Sequence, residues 1–351
     1  MTRSRRFSVV SVILVLLRIG VAVAVVLGTW ATLSAGRLDP SEWRDLFIFG
    51  IAQGSVYALI ALGYTLVYGV LLMINFAHGD VFMFGGMTGF FVADALGKAG
   101  FLDGMPNILI GMVLVLVVAM VSSSLLAILL ERIAYRPLRR APRLVPLITA
   151  IGASLFISNS VRGIYGEQVR AYPRLDVFQG YLFEGSPFQI LRVHAIVIVA
   201  ATLLMVFLYW FVERTRTGRA MRAISEDKDT AALMGINVDR IIAVTFGIGG
   251  MLAGAAGVLF AIVFGQVNWF MGFLPGIKAF TAAVLGGIGS IVGAMVGGLM
   301  LGVLESVGPN LFLSGFGVPS PNQLRDVVAF TVLVLVLIFR PYGIFGRPEG
   351  R

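Results

Sequence analysis

GSVYALIALGYTLVYGVLLMINFAHGDVFM, residues 54 to 83, carries the pattern that decides the fold. It opens as an apolar run of helical length, breaks at the polar block Asn75-Phe76-Ala77-His78-Gly79-Asp80, and resumes as a second Gly-rich apolar stretch. A membrane span needs about 20 mostly apolar residues, because the hydrocarbon layer is roughly 30 Å thick and offers no water to backbone groups. The shape recurs further along: Gly50 through Asn75 and Gly79 to Gly85-Gly86 is echoed by Gly249 through Asn268 and Gly272 to Gly286-Gly287. Transporters place paired discontinuous helices at the bilayer midplane, where helix ends and free carbonyls hold polar solutes. Gly-rich membrane helices also resemble one another by composition alone, so the echo leaves both readings open.

The rest of the chain agrees with a membrane location. Of 351 residues, 58% are hydrophobic and 13% charged, and mean hydropathy is +0.94, which excludes an ordinary soluble domain. The fold expected is all-α, a polytopic transmembrane helical bundle of about eight to ten spans with broken Gly-rich helices. The spans fall at about 7–34, 46–70, 79–97, 107–130, 144–163, 193–212, 240–266, 276–289, 290–307 and 325–340. The eighth is too short to cross as one straight helix. Either it pairs with the ninth as a broken or re-entrant segment, or 276–307 forms one long tilted span.

Net charge is +9, and the cations follow topology. With the N-terminus inside, Arg3, Arg5 and Arg6, the 131–143 loop (Arg132, Arg136, Arg139, Arg140, Arg143), the 213–240 loop and the C-terminal tail are cytoplasmic, and together they hold most of the 27 Lys and Arg residues. Both termini are then inside. Arg3, Arg5 and Arg6 before an apolar run also suggest a secretory signal, but the run is long, is interrupted by Arg18 and lacks a convincing small-residue cleavage site. It reads as a retained span in an N-terminal extension, 1–45, ahead of a transport domain at 46–349.

Absent residue types exclude other chemistry. The sequence has no cysteine and only His78 and His194, so it offers no thiolate, no converging nucleophile and base, and no metal cluster. Nothing matches the phosphate-binding loop G-x-x-x-x-G-K followed by Ser or Thr, so the chain is not read as an enzyme, and any ATP and Mg would be used by a separate subunit. A passive aquaporin-like channel would carry Asn-Pro-Ala twice; this chain has Asn75-Phe76-Ala77 and no Asn-Pro pair.

The loop ERTRTGRAMRAISEDKDTAALMGINVDR, residues 213 to 240, mixes cations such as Arg219 and Arg222 with anions such as Glu226 and Asp227. A nucleic-acid or lipid patch would be more one-sided, and no nucleic-acid partner is expected. Ser225 can cap a short surface helix from Glu226 to Met234, which Gly235 would end in a left-handed cap. Its small residues, Ala231, Ala232 and Gly235, would let it sit in a partner's groove. The alternative is a solvated loop helix without a partner.

Ala231-x-x-x-Gly235 in a polar loop resembles the ATPase-docking motif of bacterial ABC import permeases. With the stretches at 54–83, 131–159 (ERIAYRPLRRAPRLVPLITAIGASLFISN), 218–246, 276–302 and 340–349 (RPYGIFGRPE), it is similar to the branched-chain amino acid permease family of the high-affinity leucine, isoleucine and valine type. The resemblance implies an inner-membrane permease that binds no cofactor itself. Its partners would be ABC ATPase subunits, a periplasmic or lipid-anchored solute-binding protein, a second permease subunit and membrane lipids. Relatives that carry urea or short amides are the alternative within the family. The first 40 or so residues and the outer loop Gly163 to Arg192 depart from the pattern.

Ionisable and polar groups inside a membrane are functional candidates by default. Asn75, His78 and Asp80 could line a pathway, satisfy a broken helix or form an interfacial loop, and His78 could pair with Asp80. Gln53, Tyr57 and Tyr64 lie close by helical spacing and could offer hydrogen bonds to a solute or simply pack. Lys278 could neutralise a substrate carboxylate, although snorkelling to the outer interface is the commoner fate of a terminal lysine.

Overall fold

Apolar runs become helices here because a helix satisfies every backbone group within its own segment. The structure, a computed structural model, describes residues 9–36, 38–102, 104, 106–139, 141–142, 144–173, 178–186, 188–340 and 342–346. Arg3, Arg5, Arg6, Arg140, Arg143 and the tail beyond 346 lie outside the described residues. The helices are α1 (Val9–Ala35), α2 (Pro40–Leu71), α3 (His78–Lys98), α4 (Asn107–Leu130), α5 (Leu144–Tyr165), α6 (Arg192–Arg214), α7 (Arg216–Glu226), α8 (Lys228–Leu233), α9 (Val238–Phe264), α10 (Phe273–Gly286), α11 (Ile291–Leu313) and α12 (Arg325–Phe339). Among the described residues, eight helical segments are long and apolar enough to cross a membrane. The chain is a multi-pass membrane protein; α3 and the shorter α10, read as spans from the sequence, are helices but are not among these eight. Strand structure among the described residues is confined to two-residue pairs, Arg170–Ala171 with Gln266–Val267 and Tyr181–Leu182 with Ile190–Leu191.

The echo in sequence corresponds to an exchange of contacts in space. α2 packs on α11 as α9 packs on α4, while α3 lies along α9 as α10 lies along α2. α2 and α9 pack against each other antiparallel, with Phe49 near Phe264 at one end and Gly63 against Gly249 further along. The two Gly-rich units are therefore related by inverted topology, the arrangement of many transporters.

Glycine makes this packing possible at two places. At the α2–α11 seam a Cβ on Gly54 would lie 2.9 Å from the Gly298 oxygen and the Leu299 Cα, so only hydrogen fits there. Where the first turns of α3 and α10 cross, Gly79 and Gly272 press backbone on backbone. α3 accordingly starts beside Gly63, about two turns before α2 ends. The 72–77 connection folds back into the bundle rather than running along its surface.

A single tilted span over 276–307 does not form. α10 and α11 are an antiparallel hairpin in which Gly286 contacts Gly293 and Ala282 contacts Gly297, and Gly287 and Gly289 turn the chain at φ of +107° and +94°. The tail seals this corner through Ile344 and Phe345, whose N–H groups donate to the carbonyls of Leu285 and Gly286. α1 and α12 form a rim whose apolar side chains face outward. α1 touches the bundle near Thr32, whose hydroxyl accepts from the Gly315 N–H at 2.8 Å.

Candidate functional site

Lys278 does not snorkel. α10 is held within the bundle by its glycine crossing, so the Lys278 ammonium is buried and lies 2.5 Å from both Glu305 Oε1 on α11 and Asp326 Oδ1 at the start of α12. Gln53 Nε2 donates to the same Glu305 oxygen at 3.1 Å and to the Tyr57 hydroxyl at 2.5 Å. A buried charge needs a partner, and this pair of acids flanking one lysine supplies it. The cluster lines a cavity of about 270 Å³, with Arg325 and Asn268 beside it and Phe260, Phe264, Met271 and Leu274 as apolar wall. A separate cavity of about 410 Å³ between α3, α4, α6 and α9 is lined almost wholly by apolar groups and has no charge to orient a polar solute.

The other expected pathway residues gather elsewhere. Tyr64 is two turns along α2 from Tyr57 and belongs to an aromatic block. Its ring meets His78 at 4.9 Å and Phe280 at 6.0 Å, and Phe76 meets Phe280 at 6.0 Å. His78 fits into the notch left by Gly63 and makes no ion pair with Asp80, because residues two apart on a helix point to different sides. Asn75 is a structural tie: its Oδ1 accepts from the buried Tyr135 hydroxyl at 2.8 Å, which fastens the 72–77 connection to the end of α4.

At the end of the bundle that carries α7 and α8, Glu131 is fully buried. Its carboxylate meets Arg136 at 3.5 Å and also Arg139, which itself bridges to Asp239 at the start of α9. This network joins the end of α4 to the start of α9.

The polar loop forms two helices rather than one. α7 turns sharply out of α6, because Thr215 caps it by accepting from Gly218 N–H at 3.0 Å and Gly218 lies against the Val212 backbone. Met221 and Ile224 of α7 are buried, Arg219 is exposed, and Arg222 pairs with Glu213 at 2.6 Å. Ser225 caps nothing: it lies inside α7 and donates to the Arg222 carbonyl. The cap of α8 is Asp227, which accepts from the backbone of Asp229 at 2.9 Å and from the backbone and hydroxyl of Thr230 at 3.2 and 2.6 Å. The Thr230 hydroxyl foremost, with these backbone donors, holds the Asp227 carboxyl below its ordinary range. Burial, aided by nearby Arg139, lowers Lys228, whose ammonium reaches the Leu71 carbonyl at 3.5 Å. Gly235 ends the segment at φ +82° as expected. Ala231 is turned into the chain's own core, so it is not part of an exposed small-residue spine; beside exposed Ala232, α8 and its end present Leu233 and Met234, 87% and 79% exposed.

The profile of the branched-chain amino acid transport system permease component family matches residues 46–337. The chain belongs to that family. It is 46% identical over 311 residues to the high-affinity branched-chain amino acid transport system permease protein BraD of Pseudomonas aeruginosa, covering 88% of this chain and 97% of that one. It is 45% identical over 302 residues to the corresponding protein LivH of Escherichia coli K12, covering 86% and 94%. A probable branched-chain amino acid transport permease of Methanocaldococcus jannaschii is 28% identical over 301 residues, covering 84% and 90%.

Gln53, Tyr57 and Lys278 thus gather around two carboxylates, Glu305 and Asp326, that were not among the candidates. Glu305 is the lone charge in the apolar run of α11, a signal open to inspection. Asp326 and Arg325 stand where a span begins, which reads as interfacial until α12 is packed beside α10. Glu131 and Tyr135 lie in a basic loop by sequence; in the fold Tyr135 is buried against Phe246 and Asn75, and Glu131 is buried between Arg136 and Arg139.

Proposed function

We propose that this chain is the transmembrane permease subunit of an ATP-driven importer, and that it passes branched-chain amino acids from an external solute-binding protein to the cytoplasm. The observation that carries the reading is 46% identity across 88% of the chain to a high-affinity branched-chain amino acid permease. The inverted Gly-rich units supply what alternating access requires, two halves able to rock about a shared crossing. The basic loops that hold Arg132, Arg136, Arg139, Arg216, Arg219 and Arg222 face the cytoplasm of a bacterial inner membrane in this reading, consistent with the positive-inside rule. α7 and α8 then face an ATPase, whose ATP and Mg stay on that separate subunit.

The proposed cycle begins when ATPase closure moves α7 and α8. Gly218 seats α7 on α6, and Lys228 ties α8 to the end of α2, so the displacement reaches a central helix directly. The test is reconstitution with the ATPase subunits, the companion permease and the receptor in liposomes. Leucine, isoleucine and valine uptake should require ATP and receptor, and urea should not be taken up. Solute movement by the chain alone, without nucleotide, rejects the reading.

A further inference from the structure

The cavity beside Lys278 is charge-balanced in a particular way. Lys278 uses its ammonium on Glu305 Oε1 and Asp326 Oδ1, each at 2.5 Å. That leaves Arg325 at the wall without an ionic partner among the described residues, and two buried oxygens without a donor. Arg325 makes no ion pair; its Nε donates only to the Asn322 carbonyl, at 3.1 Å, and its guanidinium lies 5.8 Å from the Phe49 ring. Glu305 Oε2 is buried and has no hydrogen-bond partner, and neither has Gln53 Oε1. Buried polar atoms are almost always satisfied, and the single hydroxyl proton of Tyr57 cannot serve both open acceptors, so the cavity has room for a further donor.

We propose that this cavity is a transit site for a zwitterionic α-amino acid with an aliphatic side chain. The inference rests on the transport reading above and deepens it. The ligand ammonium has three donors, which suit Glu305 Oε2 and Gln53 Oε1, whereas its carboxylate suits the planar fork of Arg325. The aliphatic side chain faces Phe264, Met271 and Leu274. The resident charges, Lys278 and Arg325 against Glu305 and Asp326, sum to zero, so a ligand of zero net charge leaves the site balanced and a cationic or anionic amino acid does not. The cavity, about 270 Å³, sits just under the roughly 300 Å³ at which small-molecule pockets begin, a size for a single amino acid. Further along α2, the rings of Tyr64, His78 and Phe280 pack together on the cytoplasmic side of this cavity in the transport reading.

The natural sequence contains no cysteine, which gives a clean probe. Leu274→Cys places one thiol on the apolar wall, and its reaction with a water-soluble thiol reagent is followed on this chain within the assembled transporter. L-Leucine should slow labelling at least threefold. Leucine amide, which lacks the carboxylate, and 4-methylpentanoate, which lacks the ammonium, should not. Adding Glu305→Gln or, as the half-buried and milder change, Arg325→Gln should abolish protection by leucine while labelling itself continues. Leucine uptake without protection of the thiol, or equal protection by all three compounds, overturns the site and leaves the transport reading standing. Failure of the unaltered complex to take up leucine overturns the transport reading and the site with it.

Discussion

Lys278 and Glu305, on neighbouring helices of a glycine-built hairpin, form a buried ion pair at 2.5 Å with only 7% and 0% of their side chains exposed. An ion pair withdrawn from water is costly to break on one side, since the remaining charge has nothing to replace its partner.

Lys278→Met should therefore destabilise the permease by about 3–5 kcal/mol, because it strands Glu305 and leaves Asp326 unpaired. The combined Lys278→Met and Glu305→Gln variant should recover most of that loss. Thermal denaturation of the detergent-solubilised protein checks both. Equal destabilisation in the single and double variants would show that the pair is not what holds α10 to α11.

The seam between α2 and α11 makes a second, purely steric prediction. Gly54→Val inserts carbon where the Gly298 oxygen and Leu299 Cα already stand 2.9 Å from the Cβ position, and backbone cannot move aside as a flexible side chain can. A loss of at least about 1–3 kcal/mol is expected, the range for overpacked sites. Gly69→Ala, in the same helix with nothing within 4 Å, should leave stability unchanged or slightly raised. The same thermal assay separates them.

These contacts also show what was legible beforehand. Span positions could be read because apolar runs of bilayer length fold the same way whatever surrounds them. The repeat could be seen as an echo, but its inversion is a relation between α2 and α9 that no local pattern encodes. In the polar loop, Gly235 announced the end of α8 through its backbone freedom, yet Ser225 and Asp227 are equally good caps by type. The choice between them depended on α7, whose buried Gly218, Met221 and Ile224 follow helical spacing and could have been read as a packed face. Lys278 and Glu305 were each legible as a charge in an apolar run, but their pairing was not, because sequence places Glu305 and Asp326 on other helices.

Asp227 supplies a pH prediction. Its folded pKa lies below the unfolded value of about 3.9, so its contribution to α8 is fully present above that value and is lost as pH falls through the depressed pKa. Hydrogen-exchange protection of Thr230 and Ala231 amides should be constant from neutral pH down to mildly acidic pH and fall below about pH 4. Asp227→Asn keeps a capping oxygen without a titrating carboxyl, so it should remove this acid-dependent fall. Asp227→Ala should lower protection at every pH. An unchanged acid profile in the Asn variant would assign the effect to another group.

α8 and its end have an inward face at Ala231 and an outward one at Leu233 and Met234. Leu233 and Met234 are large apolar groups left 87% and 79% exposed at the tip of a segment braced by Asp227 and Lys228. An isolated chain gains nothing from exposing them, whereas an ATPase groove that covers each gains about 1.5–3 kcal/mol of burial. Leu233→Glu and Met234→Glu should each weaken retention of the ATPase about tenfold or more while the permease keeps its melting temperature. Ala231→Glu should act differently. It forces a carboxylate into the core, so it should lower the melting temperature and lose the ATPase only as a consequence. Co-purification measured beside thermal stability resolves the two, and full ATPase retention by a Leu233→Glu, Met234→Glu double variant would place the docking surface off the tip of α8.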